Sequence, residues 1–195
     1  MSRQFVLLPL LLAVPLLGGC AAAVVGGVAT TAAVVHDRRT AGTFVEDQGI
    51  YFRAVSLRQQ DAEIRQKSNI GITVYNMQVL LTGQAASDEI SRRLANQIAQ
   101  TPKVRKVYNE VVTAAEGTWT DAADDMYLTS KVKLSLFDVD IDGFDPTRVQ
   151  VTTSLDTVYL MGLLTRDEAQ AVTDKVRYLS GVKRVVALFE YLPDA

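Results

Sequence analysis

Ile70-Gly-Ile-Thr-Val-Tyr-Asn-Met-Gln-Val-Leu-Leu-Thr-Gly83 is the stretch that decides the fold, because it occurs twice. Ile70, Ile72 and Val74 alternate with polar or small residues, and Val79 and Leu81 resume the alternation, which predicts two half-buried strands. Tyr75-Asn76-Met77 between them reads as a tight hairpin connection, with Asn supplying the turn. The pattern returns in Val149-Gln-Val-Thr-Thr-Ser-Leu-Asp-Thr-Val-Tyr-Leu-Met-Gly162. There Val149, Val151, Val158, Leu160 and Gly162 lie over Ile70, Ile72, Val79, Leu81 and Gly83, and Ser154-Leu155-Asp156 forms the turn. An ordered set of matches at one offset marks an internal repeat.

Working outward, each hairpin is followed by a helix. Ser87 caps the first, with Asp88 and Glu89 in its positive first turn and Leu94 and Ile98 on its apolar stripe. Thr165-Arg-Asp-Glu168 opens the second as a capping box. Pro102 and Gly181 stop these helices. Third strands follow, through Val104, Val107 and Val111 in one copy and Val182, Val185 and Leu188 in the other. Upstream of each hairpin lies an amphipathic helix, over Asp47–Gln59 and Asp124–Phe137, with Val55 and Leu57 lying over Val132 and Leu134. The expected fold is therefore α+β: two tandem αββαβ modules, each a small three-stranded mixed sheet packed on two helices. Residues 45–114 form the first module, 115–123 a linker and 124–192 the second. Each is near the lower size limit for an independent core, so the two are expected to lean on one another.

The N-terminus reads differently. Arg3 precedes an apolar run from Phe5 to Leu17, and Leu17-Gly18-Gly19-Cys20 follows. Charge, apolar run and small residues in that order mark an export signal, here residues 1–19. The Leu-Gly-Gly-Cys run resembles the lipobox of bacterial lipoproteins, which makes Cys20 the lipidation site, and Ala21 in place of aspartate implies outer-membrane delivery. Several acyl chains on one residue give stable anchoring, where one chain is marginal. Residues 20–44 are read as the lipidated N-terminus and an Ala/Gly/Val-rich tether, in which Asp37, Arg38 and Arg39 are the only charges over residues 24–42.

Composition narrows the function classes. Cys20 is the only cysteine, so no disulfide or thiolate nucleophile remains once it is lipidated. The single histidine, His36, lies in the tether and reads as a solvated linker residue. No Ser/His/Asp set, phosphate-binding glycine loop or paired-histidine motif is present, so the chain is not expected to be an enzyme or to need a cofactor. A net charge of −2 over 195 residues gives no field to gather nucleic acid, and nothing points to a small-molecule substrate.

Val149-Gln-Val151, Val158-Tyr-Leu160-Met-Gly162 and Gly181-Val182-Lys-Arg-Val185 resemble the signature of the BON domain family, reinforced by Tyr108-Asn-Glu110. Lipobox, short tether and tandem modules together are similar to the family's two-domain outer-membrane lipoproteins. The resemblance implies a non-catalytic envelope protein that faces the periplasm, gathers at the division site and maintains envelope integrity. It also implies binding of anionic phospholipid through the first helix of the second module. In Asp124-Asp-Met-Tyr-Leu-Thr-Ser-Lys-Val-Lys-Leu-Ser-Leu-Phe137, the spacing turns Leu128, Val132 and Leu136 to the core and puts Tyr127, Lys131 and Leu134 on a neighbouring stripe. Tyr127, Leu128, Lys131 and Leu134 are the candidate phospholipid-binding residues, an amphipathic ring beside an ammonium suiting the headgroup level of a bilayer. Tyrosine stands where the family has tryptophan, and buries less area.

Several features compete with that reading. Residues 124–192 hold 8 lysines and arginines against 11 acids, and Asp138, Asp140, Asp142 and Asp145 follow the helix directly. Asp138-Val-Asp-Ile-Asp-Gly143 opens like a calcium loop, but twelve-position counting ends at Val149 instead of glutamate and Pro146 interrupts it, so no metal is expected. In the first module Arg92, Arg93, Lys103, Arg105 and Lys106 read as solvated charges, and Trp119 as a wedge between modules. The alternative function is a membrane-tethered adaptor for an outer-membrane assembly partner, with Tyr127 and Leu134 packing on protein.

Overall fold

A computed structural model describes residues 37–116 and 122–193. The signal segment, Cys20, His36 and Trp119 lie outside the described residues. Among the described residues no helix is long and apolar enough to cross a membrane.

The first module runs α1 (Ala41–Gln60), α2 (Ala62–Gln66), β1 (Ser68–Tyr75), β2 (Gln78–Ala85), α3 (Asp88–Ala99), β3 (Lys106–Asn109) and β4 (Val112–Thr113). The second runs α4 (Ala122–Ser135), a 3-10 turn at Leu136–Asp138, a second at Pro146–Arg148, β5 (Val149–Ser154), β6 (Thr157–Leu164), α5 (Arg166–Arg177) and β7 (Arg184–Tyr191). In both, the hairpin strands are antiparallel, and the strand after the intervening helix joins the central strand in parallel. The register pairs Ile70 with Gly83 and Val149 with Gly162, so the matched residues of the repeat occupy matched places. Ser87 and Thr165 cap α3 and α5, the latter as a full capping box with Glu168.

Both hairpins close through two-residue turns, Asn76-Met77 and Leu155-Asp156, with all four residues at positive φ. Such turns match the twist of the strands but suit glycine better than Met or Leu. Each copy offsets this in the same way. Asp47 of α1 accepts hydrogen bonds from the N–H groups of Asn76 (2.8 Å) and Met77 (2.6 Å). Asp125 of α4 accepts from Leu155 (3.2 Å) and Asp156 (3.4 Å). A carboxylate in the first helix thus stitches it to the hairpin turn.

Four details depart from the sequence reading. α1 starts at Ala41, capped by Thr40, rather than at Asp47. The third strand of the first module is split: Glu110 bonds to Leu81 O between β3 and β4, which pair with β2 separately. A short extra helix, α2, is capped by Asp61. The register of the first helices is one residue off, since Ala54, not Val55, is buried as Val132 is.

Each module buries one core between its helices and one sheet face. Ile50, Ala54, Ile64, Val79, Leu81, Leu94 and Ile98 are central in the first, and Leu128, Val132, Leu136, Val158, Leu160 and Val172 in the second. The opposite faces of the two sheets meet each other. Tyr75 and Leu80 pack with Tyr159 and Met161, flanked by Tyr108, Leu163, Val186 and Leu188. Thr73 and Thr152 hydroxyls are 3.0 Å apart across this seam, and Arg105–Glu190 (2.7 Å) and Arg184–Glu110 (3.3 Å) close its rim. The central strands are consequently buried on both faces, and the order of layers is helices, sheet, sheet, helices. Leaning of one module on the other is the observed arrangement.

The segment Asp37–Arg39, read as tether, is part of this body. The Arg38 guanidinium donates to both oxygens of Glu168 (2.5 and 2.9 Å) and to Leu163 O (3.2 Å). Arg39 donates to Asp47 (2.8 Å) and lies 4.0 Å from the Tyr75 ring centroid. Consecutive arginines therefore grip different modules.

Candidate functional site

α4 is fixed to its module along three of its sides. Leu128, Val132 and Leu136 enter the core at i, i+4 and i+8 spacing. Asp125 holds the hairpin turn, and the Thr129 hydroxyl donates to that of Thr153 at 2.9 Å. Lys131 Nζ donates to the carbonyl and hydroxyl oxygens of Ser180 (2.7 and 2.9 Å), tying the helix to the turn after α5.

What remains is an outward arc. Tyr127 and Leu134 are 72% and 70% exposed, with Lys131 between them, so the structure brings these three together. Leu128 is not part of that surface. At 5% exposure it lies in the core, because its spacing to Val132 turns it inward, and it supports the helix from beneath. Three residues that the sequence reading missed complete the surface: Met126, Phe137 and Tyr178, each more than two-thirds exposed. Met126, Ser130, Lys133 and Phe137 form a second stripe beside the first. Tyr178 stands on the turn that Lys131 grips, with Arg177 stacked 4.7 Å from its ring. The signal for Met126 and Phe137 was present, since both are apolar at positions the core stripe leaves outside. Tyr178 had none, because its neighbourhood to Lys131 is tertiary.

Monomeric proteins rarely expose a contiguous group of large apolar side chains. Here four exposed apolar side chains of α4 and the 3-10 turn after it flank Lys131 and Lys133, and Tyr178 with Arg177 stands on the adjoining turn that Lys131 holds, an amphipathic arrangement at the scale of a lipid headgroup layer. The acidic loop is partly neutralised. Asp138 pairs with Lys175 (3.5 Å), and Asp145 accepts from the Thr147 N–H and hydroxyl (2.9 and 2.7 Å), capping the second 3-10 turn. Asp140 and Asp142 stay exposed. Among the described residues no group of three or more His, Cys, Asp or Glu side chains is placed to hold a metal. Val149, where a calcium loop would need its bidentate glutamate, is instead the first residue of β5, paired with Gly162.

The basic residues of the first module serve the fold. Arg92 pairs with Asp88, Arg93 with Asp61 and Glu63, Lys103 with Glu46 and Arg105 with Glu190, while Lys106 lies over the Tyr108 ring.

The fold is a tandem pair of αββαβ modules, and the BON domain family model matches residues 58–115 and 124–193. The chain belongs to the BON domain family, as a two-domain member of the DolP type. It is 34% identical over 177 residues to "Outer membrane lipoprotein DolP" of Haemophilus influenzae, covering 90% of each chain. It is 30% identical over 156 residues to a "21 kDa hemolysin" of Actinobacillus pleuropneumoniae, covering 80% of this chain and 79% of that one. Among solved structures, the C-terminal domain of CdsD, a type III secretion protein of Chlamydia trachomatis, aligns over 75% of this chain and 67% of that one. Its TM-score is 0.29 at 14% identity, too distant to bear on function.

Proposed function

We propose that this chain is a non-catalytic lipoprotein, anchored through acylated Cys20 in the outer membrane and facing the periplasm. In this reading it docks on anionic phospholipid through the outward arc of α4. The observation that carries the reading is the set Tyr127, Lys131 and Leu134 on one rigidly held helix face, ringed by Met126, Phe137 and Tyr178. The rings and aliphatic groups enter the headgroup boundary, and Lys131, Lys133 and Arg177 meet phosphate oxygens. Leu128 acts from below by fixing the helix. The relative's printed name supports the outer-membrane lipoprotein assignment, and the family resemblance adds a role in envelope integrity at the division site.

Flotation of the protein lacking residues 1–20 with phosphatidylglycerol vesicles tests this. Binding is expected with phosphatidylglycerol and not with neutral phosphatidylcholine alone, and Tyr127→Glu abolishes it. Equal indifference to lipid composition and to the substitution contradicts the reading and favours the protein-adaptor alternative.

A further inference from the structure

α1 is apolar on two sides. Ile50, Ala54 and Leu57 face the core of the first module, while Phe44, Val45, Tyr51 and Phe52 face solvent, Val45 and Phe52 at about two-thirds exposure. A surface helix ordinarily puts charge where these stand. At 3.6 residues per turn, Gln48 lies on the midline of this second stripe, with Phe44 and Tyr51 on one side and Val45 and Phe52 on the other. The ring of Tyr51 meets that of Phe52 edge-on at 5.7 Å. No charged residue of α1 falls within the stripe; at its edge the mostly buried Arg39 guanidinium lies 5.7 Å from the Phe44 ring centroid. Glu46, paired with Lys103, and Arg53 lie outside it.

We infer that this stripe is a homodimer surface, in which α1 packs antiparallel on α1 of a second copy of the chain. Three observations select that occupant. The stripe is close to symmetric about Gln48: in a two-fold antiparallel pair Val45 lies beside Phe52 of the other copy and Phe44 beside Tyr51, so each side of the stripe meets its own apolar partner. With no charged α1 residue inside it, the stripe meets its own copy without like-charge repulsion. It also lies in the outer layer opposite α4, since the two modules meet through their sheets. One flat bilayer cannot cover both helices, and pairing through α1 leaves the α4 arc free. The last point rests on the lipid reading of α4; the symmetry and charge arguments do not. A single helix pair buries on the order of 1,000 Å² in total, at the small end for a specific interface. The dimer is therefore weak in solution and favoured when copies are confined to one membrane.

The full chain carrying Gln48→Cys, reconstituted in neutral phosphatidylcholine vesicles, tests this by oxidative crosslinking, with the unsubstituted chain reporting any contribution from Cys20. Gln48→Cys is expected to give a disulfide dimer, Gln170→Cys on α5 is not, and adding Phe52→Glu to Gln48→Cys reduces the dimer at least tenfold without changing the circular dichroism. Crosslinking no greater at residue 48 than at residue 170 overturns the proposal, as does a Gln48→Cys dimer indifferent to Phe52→Glu. Neutral vesicles keep the result independent of anionic lipid: failure of the lipid reading leaves this dimer in place, and a monomer here leaves the lipid reading intact.

Discussion

Arg38 and Glu168, 130 residues apart, form a two-pronged ion pair that joins the start of the described chain to the first turn of α5. Glu168 is 3% exposed and is also the capping-box acid of that helix, accepting from Thr165 N–H at 2.8 Å. Burial by itself raises its carboxyl pKa. Arg38 and Thr165 outweigh that and hold it below the usual range.

Arg38→Ala removes a charge partner from a buried carboxylate but leaves its cap. The expected loss is about 2 kcal/mol of unfolding free energy, measured by urea denaturation. A double-mutant cycle with Glu168→Gln should return a coupling of the same order, because the two side chains touch directly.

The same pair sets an acid limit. A folded pKa below the unfolded value means the stabilisation is complete above the unfolded carboxylate range and is lost as pH falls through the depressed folded value. Thermal melting between neutral pH and pH 3 should therefore fall more steeply in the native chain than in Arg38→Ala.

Tyr75 gives the opposite limit. Its ring is buried in the seam, its hydroxyl accepts from Leu163 N–H (3.3 Å), and Arg39 lies over it. Burial pushes its pKa to about 12, with Asp37 adding to the shift. The proton is held more tightly in the folded chain, so stability is whole below about pH 10 and declines as pH rises toward 12. Alkaline spectrophotometric titration should show a late-ionising tyrosine that disappears in Tyr75→Phe.

The matched glycines of the repeat should not respond alike. Gly83 has φ +103 and a Cβ there would stand 2.1 Å from Asn69 O, which is backbone. At Gly162 the nearest backbone atom is Arg148 O at 2.9 Å, without positive φ. Gly83→Ala is expected to cost more than 3 kcal/mol (roughly, from overpacking plus backbone strain), and Gly162→Ala clearly less, by denaturant midpoint.

Strand register, hairpins, caps and the duplicated topology were legible in the sequence because they are local. Ile70 and Val149 alternate with their neighbours, and Thr165 stands three residues before Glu168. The start of α1 was not, since Ala41-Gly42-Thr43 are small residues that continue the composition of the tether. Nor was the seam: Tyr75, Leu80, Tyr159 and Met161 lie on the strand faces turned from the helices, and only the other module shows that they are buried. Arg38 and Arg39 read as part of the tether for the same reason. At the candidate site, spacing placed Tyr127, Lys131 and Leu134 correctly on one face. Leu128 went to the core by the same spacing, and Tyr178 had no local signal, because only the Lys131–Ser180 bond brings its turn to α4.

Whether α4, and not the first module, meets the lipid surface is measured most directly by residue-resolved NMR line broadening of the protein lacking residues 1–20, with phosphatidylglycerol vesicles carrying a headgroup spin label. Broadening is expected to concentrate at residues 126–137 and 177–181, with α1 and α3 unaffected. Broadening centred on the first module, or none at phosphatidylglycerol concentrations that saturate flotation, contradicts docking through α4.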